Sequence, residues 1–229
     1  MATRKTWIDD PRWERAAALG GFVFAVLATI WALLAAGAPK MDASTNDITS
    51  YYDDHGHRVK IGIATLLLTL AALFLIWFLG SLRTALRRAE GGDARVTGVM
   101  FGAGVALAAV VLVQASIYAA PAEARQHGGT GFQLDPDTVR VIGGATWWLI
   151  AQEAALAGLL TAAISMVILR TAVFPIWFGW VGLVVALFNL LSIFLAGVAL
   201  PLFLAWLLVL SLFVWRPGAA AEIQIPPAA

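Results

Sequence analysis

The 229 residues are 61% hydrophobic and 13% charged, with a mean hydropathy of +0.84, far from the roughly one-quarter charged residues of soluble domains. That excludes a soluble globular domain and places the chain in lipid, where only helices or closed barrels satisfy their backbone. A net charge of +1 gives no basic field for nucleic acid, and zero cysteines exclude disulfides, thiolate metal sites and iron–sulfur clusters.

Residues 1–15 (MATRKTWIDDPRWER) mix cations with acids and carry Trp7 and Trp13, which suits a cytoplasmic interfacial segment before a first span at 16–37. The end of that run, LLAAGA, resembles a signal-peptidase site, but the preceding region is long and acidic, so the span is expected to be retained. A polar segment containing SYYDDHGHR leads to a second span at 61–82. Its helix is expected to continue into water through Arg83, Arg87 and Arg88 until Gly91-Gly92 stops it. A third span covers 97–120, and Pro121 is expected to open a loop. Asp135-Pro136 reads as a helix N-cap followed by proline at the first helical position, so a long fourth helix crosses the bilayer over 143–169. Ile176 to Trp215 is apolar without a charge and long enough for two spans, 176–195 and 199–215, with the turn expected at Ala196–Pro201. The tail 217–229 is rich in Pro and Ala and is expected to be a flexible cytoplasmic segment.

The expected fold is therefore all-α: one polytopic integral membrane bundle of six transmembrane helices over 16–216. Lys and Arg set the orientation. One side holds Arg4, Lys5, Arg12, Arg15, Arg83, Arg87, Arg88, Arg95, Arg170 and Arg216, the other Lys40, Arg58, Lys60, Arg125 and Arg140, which puts both termini in the cytoplasm. The outer loops then hold seven acids and all three histidines. The pairs Trp77-Phe78 and Trp177-Phe178 fall at the inner interface, as an aromatic belt requires. That shared belt also explains the likeness of LIWFLG to PIWFGW, so no inverted repeat is read.

Glu153 is the one ionisable side chain deep in a span, where a charge costs at least a few kcal/mol. Two readings compete: a ligand-binding or proton-coupling carboxyl, and a neutral acid hydrogen-bonded to a neighbouring helix. Gln152 adjoins it, and Gln114 and Asn189 lie at similar depth, so the four could share a polar pocket opening outward. Asp54, His55, His57 and His127 are residue types that bind zinc or copper, but their spacing matches no zinc signature. Arg83, Arg87 and Arg88 suit anionic lipid headgroups, or serve topology alone. Gly98 and Gly102 form a GxxxG motif expected to pack the third span on the fourth or to mark a homodimer face.

No nucleophile elbow, phosphate-binding glycine loop or HExxH motif occurs, and no histidine lies in an apolar run. Neither a nucleotide nor a haem is expected, and the chain reads as non-enzymatic. The stretches YYDDHGHR, LFLIWFLGSLRTALRRAEGG, DPDTVR and PIWFGWVGL together resemble a group of uncharacterised, mainly actinobacterial, six-span membrane proteins, over about residues 47 to 216. In size and span number the chain also resembles, more weakly, a second six-span family of unknown function. The resemblance implies six spans and a bacterial cytoplasmic membrane, and transfers no site residue. The function expected is small-molecule or lipid binding, or an accessory subunit with a membrane-protein partner or homodimer; the alternatives are a small proton-coupled transporter and a metal-dependent membrane enzyme.

Overall fold

The computed structural model describes residues 11–129, 131–192 and 199–215, with side chains from residue 19 onward. Among them the chain is helical throughout, with seven helices: α1 (Pro11–Ala35), α2 (Thr45–Asp53), α3 (His55–Glu90), α4 (Arg95–His127), α5 (Pro136–Thr171), α6 (Ile176–Leu190) and α7 (Ala199–Trp215). α3, α4 and α5 are each long and apolar enough to cross a membrane. The other apolar helices are shorter: Leu19–Ala35 of α1, the 15 residues of α6 and the 17 of α7. The segment 1–10, the turn residues 196–198 and the tail 217–229 lie outside the described residues. Ala199 to Pro201, expected in that turn, instead begin α7, where proline in the first turn forfeits no intrahelical bond.

Six helices pack side by side in the order α1, α3, α4, α5, α6, α7, and α7 returns to α1; α6 and α7 share the least contact. The shared core is aliphatic with a few rings, among them Leu75, Phe78, Leu79, Leu160, Phe178 and Phe203. Glycines set the closest approaches. A Cβ on Gly20 would lie 2.8 Å from the Phe74 carbonyl oxygen, so α1 rests directly on α3. One on Gly158 would lie 3.0 Å from the Ala186 carbonyl oxygen, so α5 rests on α6.

The first form of the GxxxG expectation, packing of the third span on the fourth through Gly98 and Gly102, is corrected here. α4 does pack on α5, but Gly98 and Gly102 have nothing within 4 Å of a would-be Cβ and lie on the exposed face of α4. The buried face is a different stripe, with Met100, Ala103, Gly104, Leu107, Ala108 and Val111. The aromatic pairs divide in the same way, because neighbouring helical residues point about 100° apart. Trp77 and Trp177 are exposed while Phe78 and Phe178 are buried, and Phe178 stacks on Trp206 at 4.9 Å between centroids.

Pro121 does not open a loop: α4 continues to His127. Good helix formers follow the proline, and Ala122 packs with Ile48, Tyr51 and Tyr52. Those three belong to α2, a short helix laid over one end of the bundle. Arg125 Nε holds Asp53 Oδ1 at 2.5 Å, Arg140 Nη2 donates to the Ala43 carbonyl at 3.0 Å, and Arg58 Nη1 donates to the Tyr52 and Asp53 carbonyls. At the opposite end Gly91 and Gly92, both at positive φ, end α3 as expected.

Candidate functional site

The inward face of α5 carries Glu153, 6% exposed, and the facing stripe of α4 carries Gln114, fully buried. α4 and α5 run antiparallel, and their side-by-side packing brings the two together. With its amide nitrogen turned to the carboxyl, Gln114 Nε2 donates to Glu153 Oε2 at 3.1 Å and also to Oε1. Sequence depth alone matched these residues; the structure adds that their faces meet.

Gln152 and Asn189 are not part of this pair. Gln152 follows the exposed face of α5, one residue and about 100° away from Glu153. Asn189 is buried on α6, where its Nδ2 donates to the Val185 carbonyl at 2.9 Å within the same helix. Ser192, just beyond α6, reaches the Ala151 carbonyl at 3.5 Å. The expected four-residue polar pocket is therefore a two-residue contact closed between helices.

An opening does lie nearby, on the other flank of α5. A groove of about 240 Å³ runs between α1, α5 and the start of α7, walled by Trp31, Trp147, Trp148, Ala151, Ala154 and Leu200. Its walls are apolar, and Trp147 and Trp148 are 45% and 57% exposed. These tryptophans were not singled out in the sequence. The signal was available: two adjacent indoles followed by alanines at 151 and 154, which leave room on the same helix face.

Three buried polar atoms deeper in the bundle were missed as well. Thr161 Oγ1, Ser165 Oγ and Trp206 Nε1 have no hydrogen-bond partner. Ser165 and Trp206 meet against Gly182 of α6, where any side chain would strike both. Single hydroxyls in an apolar run give no pattern to find in advance.

The candidate metal ligands are engaged in helix caps and local contacts, His55 excepted. Asp54 separates α2 from α3, and its carboxylate accepts the His57 amide at 2.8 Å as the N-cap of α3. His57 stacks on Tyr51 with ring centroids 4.1 Å apart. His55 is exposed, and His127 Nδ1 lies 3.1 Å from Glu123 Oε2, one turn away on its own helix. Among the described residues no three His, Asp or Glu side chains form a group able to hold a metal ion. Burial, reinforced by Tyr51, pushes the Tyr52 hydroxyl up to about 12. Asp135 caps α5 as the sequence implied: the Thr138 hydroxyl and amide donate to its carboxylate and hold it below its ordinary value.

At the other end of the bundle the α4 N-terminus is capped from a distance. Ala94 takes a left-handed conformation and supplies no side-chain cap. Glu90 does so instead: its carboxylate accepts the Val96 amide at 3.0 Å, the Thr97 amide at 2.8 Å and the Thr97 hydroxyl at 2.6 Å. Burial pushes this carboxyl up, but those bonds and the nearby Arg170 outweigh it and hold the group below its ordinary value. Arg83, Arg87 and Arg88 are exposed. Arg83 sits over the Phe101 ring at 4.7 Å.

Compared with protein-family models, with curated proteins and with solved structures, the chain matches none.

Proposed function

We propose that the chain is a six-span protein of the bacterial cytoplasmic membrane, with both termini inside, that holds a small apolar or lipid-like molecule and catalyses no reaction. The observation that carries this reading is the tryptophan-walled groove beside α5. Apolar walls with indoles at the mouth suit a hydrocarbon chain or flat apolar ring better than a polar solute. The charge-free sequence from 176 to 215 supports counting α6 and α7 as spans, and the Lys and Arg distribution supports the orientation. In that orientation Arg83, Arg87 and Arg88 stand at the inner headgroups, where they suit anionic lipid. The likeness to actinobacterial six-span proteins, and a membrane-protein partner or homodimer, belong to the same proposal.

Native mass spectrometry of protein extracted gently from its own membranes tests it. The expected spectrum contains one stoichiometric bound apolar molecule, which Ala151→Phe, filling the groove, removes while the chain melts as before. Only exchangeable lipid in both proteins overturns the reading. A co-purifying chain in place of a small molecule would make the protein an accessory subunit.

The Gln114–Glu153 contact supports a second reading, a small proton-coupled transporter in which Glu153 takes up and releases the proton. Proteoliposomes test it. Solute-driven proton flux that Glu153→Gln abolishes supports it, and absence of flux in the wild type across a broad solute panel counts against it.

A further inference from the structure

We infer that Gln114 is the positioning residue for Glu153, holding its carboxyl between α4 and α5 in both protonation states by turning the side-chain amide through half a rotation. The inference rests on the proton-coupling reading of Glu153.

A carboxylate only accepts hydrogen bonds, whereas a carboxylic acid must also place one O–H on an acceptor. Most buried partners serve one state and leave the other with an unmatched group. A glutamine amide serves both, because it carries a donor nitrogen and an acceptor oxygen on one flat, nearly symmetrical group. Turned one way, Gln114 Nε2 donates to Glu153 Oε2 at 3.1 Å, and to Oε1. Turned the other way, the amide oxygen occupies the same place and accepts the O–H of the acid. The exchange needs only rotation about the last side-chain bond, whose preference is broad and twofold. Neither helix has to move.

The surroundings leave this task to Gln114. It is fully buried and Glu153 is 6% exposed, so bulk water is not a ready alternative partner. No other Asp, Glu, Lys, Arg or His lies between Lys60 and Arg83 on α3, Arg95 and Glu123 on α4, or Arg140 and Arg170 on α5. None occurs in residues 19–35 of α1, in α6 or in α7. The only further titratable group in these stretches is Tyr118, one turn from Gln114 on α4, whose ring is set edge-on to Trp31 at 5.9 Å. Leucine at 114 could bond neither form, and glutamate would set two carboxyls together, coupling their titrations.

Infrared difference spectroscopy of the reconstituted full chain across a pH titration, in water and in deuterium oxide, tests this. A protonated-carboxyl band assigned by its loss in Glu153→Gln is expected to fade as pH rises. In step with it, a side-chain amide carbonyl band assigned by its loss in Gln114→Leu shifts. In Gln114→Leu the carboxyl band moves to the frequency of an unbonded acid. Should Gln114→Leu fail to fold, Gln114→Met, closer in shape, takes its place. A carboxyl that titrates while the amide band stays fixed overturns the role of Gln114 and leaves proton coupling standing. No titrating carboxyl band at Glu153 overturns both.

Discussion

At the scale of single residues, the side chains with most to do outside the core are helix caps. Asp54 ends α2 and starts α3. Replacing it with alanine frees the His57 amide and is expected to cost about 1 kcal/mol, while asparagine, an equally good cap, costs only a few tenths. Thermal melts of the two variants in detergent check this; equal losses would mean that the charge matters rather than the cap. Glu90 gives a pH-dependent counterpart. Its carboxyl is held below the ordinary value in the folded chain, so the stability it contributes is present above the unfolded value and is lost as pH falls through the folded one. The melting temperature of wild type should therefore exceed that of Glu90→Gln at about pH 7, and the gap should narrow as the pH falls below about 4. A gap unchanged with pH would exclude the carboxylate as its source. The sequence around Asp54 admitted two meanings, since acids and imidazoles in DDHGHR are both metal-ligand and capping types. Only the ligand meaning was raised by their types and spacing; Glu90, acting from six and seven residues away across a turn, left no local pattern.

At the scale of helices, hydropathy located the elements and left their faces undetermined. In lipid both faces of a helix are apolar, so period alone does not separate the buried stripe from the exposed one. The glycines show the consequence. Gly98-x-x-x-Gly102 had the better motif, yet the contacts are made by Gly20, Gly104 and Gly158. Gly102→Ala is expected to be neutral or to stabilise by up to about 1 kcal/mol, because helix propensity improves and nothing is displaced. Gly158→Val has backbone of α6 in its way and should cost about 1–3 kcal/mol. Unfolding of both variants in mixed micelles measures the difference. A destabilised Gly102→Ala would show that this face is covered, by a second copy or another chain. Two further features escaped the sequence for the same reason, since they depend on tertiary contact: α2, a polar segment made helical over the bundle end, and the continuation of α4 past Pro121, where Ala122 finds partners on α2.

At the scale of the whole molecule, the ends of the bundle differ in kind. One carries α2, the three histidines and a set of cations engaged with backbone and carboxylates, Arg58, Arg125 and Arg140. The other carries the Gly91–Gly92 turn and the exposed Arg83, Arg87 and Arg88. The orientation proposed from charge counting thus puts the cations bound to backbone and carboxylates around α2 on one side and the exposed Arg83, Arg87 and Arg88 on the other. Because the chain has no cysteine, single introduced cysteines report sidedness without background. A membrane-impermeant maleimide added to intact cells is expected to label His55→Cys and Gln126→Cys, and to label Asp93→Cys only after the membrane is opened. The reverse pattern would invert the topology, placing the mouth of the Trp31–Trp148 groove in the half of the bilayer facing the cytoplasm. Labelling of all three from outside would mean that neither α3 nor α4, the two helices that join these sites, crosses the membrane.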